Sequence, residues 1–266
     1  MASAPASLKQ RGFLDTQRRD KWWIQPVLTV PILGGFIAYA TWTALLGGEY
    51  YHHHNYLSPF VSPEVFGNSS HSWFGPFPEW WPEWLRLPAI LILWAPAGFR
   101  FTCYYYRGAY YKAFWADPPN CSVGEPRKCY LGENSFPLIL QNIHRYMLYV
   151  ALVFILILAW DAIQGFRFPT ADGGKEFGIG VGSLVITLNV ILLGGYTCGC
   201  HSFRHLVGGG KNTFSDRPMC KKIYDGVSCL NGKHMAWAWC SLIWVMFTDV
   251  YVRLCAHGVW TDWRIL

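Results

Sequence analysis

Five long apolar stretches constrain this chain more than any other feature of its sequence. They cover residues 27–46, 87–103, 137–160, 179–200 and 235–255, each close to the roughly 20 residues that cross a hydrocarbon layer as a helix. Only 14% of the 266 residues are charged, against about 25% in an ordinary soluble domain. Because backbone amides inside a bilayer need internal partners, the stretches are predicted to be helices. The sequence therefore predicts an all-α membrane protein, a bundle of five transmembrane helices forming a single membrane domain over residues 1–266.

Positive charge outside the five stretches is divided unequally between the two sides. Fifteen Lys and Arg lie in the N-terminal segment and in the loops 104–136 and 204–233, whereas the other connections and the tail hold four. Since cytoplasmic loops carry the excess of Lys and Arg, the N-terminus is predicted to be cytoplasmic and the C-terminus outside. The first stretch spans a full membrane thickness, so we expect it to be retained rather than cleaved as a signal peptide. The net charge of +6 then reflects topology, and no nucleic-acid partner is expected.

The long connection after the first stretch is predicted to lie on the outer side. Its prolines and its Trp73, Trp80, Trp81 and Trp84 are typical of an aromatic cap on lipid headgroups rather than of a folded domain. The run His52–His54, with His71 nearby, is interpreted as a solvated interfacial loop rather than as a metal site. Asp249 and Arg253, one helical turn apart, are expected to form a structural ion pair.

A weak internal repeat relates the segments that follow the second and fourth stretches. The matched positions are Cys103 and Cys200, Arg107 and Arg204, Asp117 and Asp216, Pro119 and Pro218, Cys121 and Cys220, Cys129 and Cys229, and Gly132 and Gly232. Repeated helical hairpins often enclose a functional site in membrane proteins, although a chance alignment of two basic loops is the alternative. The loop cysteines at 121, 129, 220 and 229 are interpreted as structural or inert thiols, with a metal clamp or a disulfide as alternatives.

The densest set of candidate ligands lies at the inner end of the fourth stretch, where the sequence reads Thr-Cys-Gly-Cys-His-Ser-Phe-Arg-His over residues 197–205. On a continuous helix Cys198, His201 and His205 would fall within about 60° of one another, with Cys200 pointing nearly the other way. Further candidates at comparable depth are His234 and Cys240. The predicted metal ligands are Cys103, His144, Cys198, Cys200, His201 and His205.

Several kinds of centre fit these residue types. Two facing histidines suit haem, whereas mixed cysteine and histidine ligation suits an iron–sulfur centre in which two histidines replace two thiolates, or zinc. A thiol–disulfide oxidoreductase is disfavoured because the cysteines face the cytoplasm, and a transporter because the spans hold few charges. No nucleophile elbow, phosphate loop or HExxH pattern supports hydrolytic or nucleotide-driven chemistry.

The chain resembles the single-subunit membrane anchor of a succinate dehydrogenase (respiratory complex II) of the mycobacterial and actinobacterial type. The resemblance covers most of the chain and is most specific at residues 198–205 and at Gln-Asn-Ile-His-Arg-Tyr over residues 141–146. It implies a multi-pass protein of the bacterial plasma membrane, partner flavoprotein and iron–sulfur subunits, and a higher oligomer of the complex as one arrangement. It also implies a Rieske-type [2Fe–2S] centre within the membrane region, in place of b haems.

The resemblance implies an electron relay rather than catalysis by this chain alone. Electrons from succinate would pass through the partner subunits to the centre and reduce a quinone, menaquinone being the expected one. Cys198 and Cys103 would bind one iron, and two of His201, His205 and His144 the other. Interfacial residues expected near the quinone are Trp22, Trp23, Tyr106, Arg107 and Arg145. A haem b anchor that reduces quinone without an iron–sulfur centre is the nearest alternative.

Overall fold

The structure, a computed structural model, describes residues 12–52, 55–127, 134–136, 138–170, 172–209, 213 and 217–266. These residues form nine α-helices: α1 (Ile24–Leu46), α2 (Pro88–Ile92), α3 (Trp94–Thr102), α4 (Tyr104–Ala109), α5 (His144–Gln164), α6 (Val181–Cys198), α7 (His201–Gly208), α8 (Pro218–Gly232) and α9 (His234–Ala256). Two antiparallel strand pairs accompany them, β1 (Tyr51–His52) with β2 (Tyr56–Leu57) and β3 (Arg167–Pro169) with β4 (Lys175–Phe177). Short 3-10 turns occur at Glu83–Leu85 and Leu138–Ile143, and a π-helical turn at Tyr110–Phe114.

Four helices of the described chain are long and apolar enough to cross a membrane. They are Ile24–Leu46, Leu138–Gln164, Val181–Cys198 and His234–Ala256, so four of the five predicted helices are confirmed. The stretch 87–103 instead forms two consecutive short helices, α2 and α3, which are interrupted at Leu93. The stretch is therefore helical in two pieces, and a fifth membrane crossing here stays a prediction.

The loop predicted over residues 204–233 is largely helical. Helix α8 occupies its second half and begins at Pro218, whose ring suits the first turn of a helix. Arg204 of α7 donates from Nε to Ser228 Oγ at 3.1 Å and lies over the ring of Tyr224 on α8. Helix α8 buries little more than Val227, and its polar composition distinguishes it from a membrane span, which is why the sequence suggested a loop.

The chain divides into two compact units. The first unit comprises Met1–Gly35 and Phe101–Asn142, and the second comprises Phe36–Arg100 and Ile143–Leu266. In the first unit the N-terminal segment pairs with residues 120–124. Leu14 N donates to Gly124 O at 2.9 Å, and Gly124 N donates to Asp15 O at 2.9 Å. Arg18 Nη1 donates to Asn120 Oδ1 at 3.0 Å, so two segments with predicted cytoplasmic positions are joined. The single-domain organisation stays a prediction.

A buried ion pair ties α9 to the rest of the second unit. Arg253 Nε donates to Asp249 Oδ2 at 2.9 Å, and Asp249 is fully buried. Tyr39 of α1 donates its hydroxyl proton to the same oxygen at 2.6 Å, and Ser58 donates to Oδ1. Arg253 Nη1 reaches Gly48 O at 2.7 Å. The expected structural role of this pair is supported by bonds to three separate segments.

The connection after α1 is only partly the surface cap that the sequence predicts. Trp80 and Trp84 are 76% and 75% exposed, as a cap requires. Residues 55–64, however, are almost entirely buried, so the cap prediction is wrong for this segment. Three hydroxyls hold it inside the bundle, since Tyr56, Ser58 and Ser62 donate to the carboxylates of Asp262, Asp249 and Asp161, respectively.

The connections and tail that the charge count assigns to the outer side meet at one end of the second unit. Asp262 of the tail accepts hydrogen bonds from Tyr56, Tyr251 and the amide of Gly182 at 2.7–2.8 Å. Arg264 Nη1 pairs with Glu176 of β4 at 2.6 Å. These bonds support the prediction that the connection after α1, the connection between α5 and α6, and the C-terminal tail lie on the same side of the membrane.

Replacing Asp249 by Ala is expected to destabilise the protein by about 3–5 kcal/mol, because it leaves the Arg253 guanidinium buried without its counter-charge. The double variant D249L/R253L should recover much of this loss. Thermal unfolding of the purified protein in detergent measures both effects. Lys221→Ala is the control, since it breaks the exposed Lys221–Asp225 pair and should change stability by less than about 1 kcal/mol. Equal unfolding midpoints for D249A and K221A would contradict the expectation.

Candidate functional site

The fourth membrane helix stops short of the predicted ligand motif. Helix α6 ends at Cys198, Gly199 caps it, and Cys200 has an extended backbone (φ −66°, ψ 143°) before α7 begins. A side chain at Gly199 would place its Cβ 2.6 Å from the carbonyl oxygen of Gly195, so only glycine fits this break. The continuous helix assumed over residues 198–205 is wrong, and Cys198 does not share a helical face with His201 and His205.

Cys103 occupies a similar break between α3 and α4. Its backbone is extended (φ −63°, ψ 129°), and the arginine four residues later returns a hydrogen bond to its carbonyl oxygen. The same bond runs from Arg204 N to Cys200 O, at 3.0 Å against 2.9 Å for Arg107 and Cys103. The backbone therefore supports the repeat at these positions, whereas its matches at Cys129, Gly132 and Asp216 lie outside the described residues.

The break in α6 brings Cys200 against His144. His144 Nε2 lies 3.0 Å from Cys200 Sγ, and the two residues are only 8% and 3% exposed. His144 is the first residue of α5, and its ring stacks on Phe99 of α3 with centroids 4.7 Å apart. Packing on one ring face and a thiol at Nε2 hold this imidazole in one orientation. The site is thus a buried thiol–imidazole pair at the ends of two membrane helices.

An aromatic row extends from this pair to a second, half-buried histidine. Phe99 contacts Tyr196 edge-on at 5.4 Å, and Tyr196 stacks on His234 at 5.1 Å. The guanidinium of Arg100 lies over the Tyr196 ring at 4.6 Å and donates from Nη2 to Ser241 Oγ at 2.9 Å. The sequence marked His234 as a further candidate ligand, outside the set of six predicted metal ligands. The signal that marks it is its position as the first residue of α9, equivalent to that of His144 in α5.

The other predicted ligands are placed differently. His201 and His205 are exposed on α7, with their Nε2 atoms 3.0 Å apart. Burial, followed by the neighbouring charges of His205 and Arg204, lowers the pKa of His201, which favours its neutral, ligand-competent form. Cys198 is half-buried at the end of α6. Within the described residues, no three His, Cys, Asp or Glu side chains converge on one point, and the six-residue ligand set stays a prediction.

An apolar cavity of about 450 Å³ lies within the second unit, between α1, α3, α5, α6 and α9. Phe99, Arg100 and Tyr196 line the end nearest His144, and Pro59, Phe60 and Leu158 line it farther along α5. Sequence reasoning missed Arg100, although a single charge inside an apolar stretch was a signal for it. The predicted quinone residues Trp23, Tyr106, Arg107 and Arg145 do not line this cavity. Their assignment to quinone stays a prediction.

The histidines of the outer connection form contacts of their own. His52 stacks on Tyr56 with centroids 6.1 Å apart, and His71 Nδ1 lies 3.7 Å from Asp161 Oδ1. His53 and His54 lie outside the described residues. The two described histidines thus make separate contacts, His52 with an aromatic ring and His71 with a carboxylate.

Comparison with known proteins agrees with the membrane architecture. The family model described as actinobacterial succinate dehydrogenase subunit SdhC matches residues 24–258. A solved structure, the Mycobacterium smegmatis Sdh1 complex in the apo form, contains a similar chain that is 42% identical in sequence. That match covers 100% of this chain and 98% of the other, with a TM-score of 0.87. No curated protein matches the chain. The chain belongs to the actinobacterial succinate dehydrogenase SdhC family.

Proposed function

We propose that this subunit anchors a flavoprotein and an iron–sulfur subunit to the bacterial plasma membrane and passes electrons from succinate to a quinone within it. The buried His144–Cys200 pair carries the proposal, since it places two redox-metal ligand types at the ends of membrane helices. The likeness to a chain of the Sdh1 complex supports the assembly with partner subunits.

The proposed topology has five crossings, with the N-terminus in the cytoplasm and the C-terminus outside. Helices α2 and α3 would form the short fifth crossing, because the 15 residues from Pro88 to Thr102 extend about 22 Å as a helix. Trp84 and Trp94 are exposed near its start, as interfacial aromatics are. The bonds that join the outer connections to the tail support this arrangement.

The proposed redox centre is a Rieske-type [2Fe–2S] cluster. The donor atoms present fit it, because a thiol sulfur and an imidazole nitrogen are its two ligand types and both lie buried together here. His144 and His234 would bind one iron and Cys200 the other; Cys103 belongs to the first unit and remains a sequence prediction. When bound, such a cluster would carry one electron at a time at a potential raised by its histidine ligands.

A haem b centre is the second candidate, and the geometry around His144 favours the cluster over it. A bis-histidine haem needs two imidazole nitrogens facing each other across an open plane. His144 Nε2 instead faces a thiol, and its ring is stacked closely on Phe99. The local packing therefore suits a compact metal–sulfur group better than a macrocycle.

The quinone would occupy the apolar cavity. Its wall of aliphatic and aromatic side chains suits an isoprenoid quinone such as menaquinone. Arg100 is a charged donor in that wall, positioned by Ser241 and Tyr196 to hydrogen-bond a quinone carbonyl. Phe99 and Tyr196 belong both to this wall and to the aromatic row beside His144, so the cavity begins next to the proposed centre.

The overall reaction balances without a further reductant. Oxidation of succinate to fumarate in the partner flavoprotein releases two electrons and two protons, and reduction of quinone to quinol consumes two of each. This chain would hold the quinone, orient its carbonyl toward Arg100 and exclude water from the slot. A site of this kind binds quinone and relays electrons to it, so the chain alone is not expected to oxidise succinate.

Substitution of both His144 and His234 by Ala is expected to abolish quinone reduction by the complex and its low-g Rieske EPR signal. Succinate oxidation with a soluble dye should persist, because that reaction needs only the partner subunits. Iron and acid-labile sulfide should each fall by about two atoms per complex.

The matched control is the H201A/H205A double variant, which removes two exposed histidines. Retention of the EPR signal and of quinone reduction in this control is expected. If H201A/H205A loses the EPR signal and quinone reduction while H144A/H234A keeps both, the ligands are the histidines of α7, and the proposed histidine pair is wrong.

Ala151→Phe is expected to lower quinone reduction by about tenfold or more, because Ala151 is a small, buried residue of the cavity wall. Dye-linked succinate oxidation should be unchanged. Val153→Phe adds a larger side chain to an exposed position of the same helix and serves as the control. Normal quinone kinetics in A151F, with a folded complex, would place the quinone outside this cavity.

A further inference from the structure

Asn189 is a buried amide in the middle of a membrane helix. It lies in α6, is 1% exposed, and neither its Oδ1 nor its Nδ2 has a hydrogen-bond partner among the described residues. Burying an amide without partners costs several kcal/mol in an apolar medium, and polar groups within membrane spans commonly mark functional sites. The mechanism proposed above makes no use of this residue.

The position of Asn189 along α6 places it at the level of the cavity. Helices α5 and α6 are antiparallel, with Ser183 Oγ bonded to Gly165 O near one end and Cys200 contacting His144 near the other. Asn189 is therefore level with the turn of α5 that contains Leu158, a residue of the cavity wall.

Three residues of the cavity wall lie on the side of α6 that carries Asn189, although Asn189 itself is not part of the wall. At about 100° per residue, Leu193, Tyr196 and Thr197 lie within about 80° of Asn189, and all three belong to the wall. One turn in the other direction, Ile186 is packed in a closed core cluster with Tyr56, Ala162 and Val252. Asn189 thus lies between the open slot and the closed core.

We propose that Asn189 hydrogen-bonds the second carbonyl of a para-quinone whose first carbonyl faces Arg100 and Tyr196. The inference rests on the proposed function, and it assigns Asn189 to the end of the quinone site that is farther from Arg100. Seven residues separate Asn189 from Tyr196, which is about 10.5 Å along a helix. The two carbonyl oxygens of a para-quinone are about 5 Å apart, so two hydrogen bonds of about 2.9 Å require donors roughly 11 Å apart.

An asparagine amide suits both redox forms of the ligand. Its Nδ2 group donates to the carbonyl oxygen of the quinone, and its Oδ1 accepts the hydroxyl proton of the quinol. A leucine of similar size would offer neither bond. The amide therefore positions the ring for both binding and release without a change of charge in the membrane.

The variants Asn189→Leu and Asn189→Ala test the proposal in the intact complex. Both should raise the KM for quinone about five- to tenfold, the loss of one hydrogen bond, with unchanged dye-linked succinate oxidation. Thr187→Val is the control, since the Thr187 hydroxyl bonds Ser183 O within its own helix and its removal should leave the KM unchanged. Unchanged quinone kinetics in folded N189L or N189A would overturn the proposal.

A second measurement needs no variant that might misfold. A naphthoquinone and an analogue in which one carbonyl is replaced by CH₂ are compared as competitors of quinone reduction by the wild-type complex. The dicarbonyl compound should bind about five- to tenfold more tightly, and N189L should reduce that preference. Equal binding by the wild type overturns the role of Asn189. If A151F nevertheless blocks quinone reduction, the assignment of the quinone to the cavity is retained. Failure of the Asn189 proposal can therefore be distinguished from failure of the proposed function.

Discussion

The interruption of the chain at Gly199 and Cys200, directly after α6, determines which side chain lies against His144. A continuous helix would carry Cys200 away from α5, whereas the extended backbone turns its sulfur onto His144. Gly199 is needed because any side chain there would collide with the carbonyl oxygen of Gly195. A single glycine thus allows the sharp turn at the end of this membrane span, and Cys103 occupies a similar break between α3 and α4.

Several charged and hydroxyl groups within the bundle are held by hydrogen bonds between distant segments. At one end, Tyr56, Ser58 and Ser62 donate to three carboxylates, and this draws the segment 55–64 into the interior. Near the other end, Arg100 is held by Ser241, by the carbonyl oxygen of Ala238 and by the Tyr196 ring. Asn189 differs from the other described residues that have an unbonded buried polar atom, because both atoms of its amide are unbonded. A bound ligand would explain this difference.

Much of the fold could be predicted from the sequence, because hydrophobic length alone identifies membrane helices. The four long spans and the Asp249–Arg253 pair follow from local sequence. The break in α6 could not be predicted, since it depends on packing of Gly199 against Leu230 and Gly195 rather than on composition. Arg100 was missed although it is a single charge within an apolar stretch. His234 was a candidate, but its contact with Tyr196 could not be predicted, because stacking brings together residues that are distant in sequence.

Phe99 and Tyr196 belong both to the aromatic row beside His144 and to the wall of the cavity. Effects on metal binding and on quinone binding can therefore be distinguished only by substitutions at other residues. Phe99 packs on His144 and also lines the slot, while Tyr196 contacts His234, Arg100 and the slot. Substitution of either ring would disturb metal binding and quinone binding together, so a loss of activity there would not identify the cause. Ala151 and Asn189 lie on α5 and α6 away from the aromatic row. Under the proposed function, changes at these two positions would alter quinone binding without touching the proposed metal ligands, so quinone kinetics there could be interpreted independently of the proposed centre.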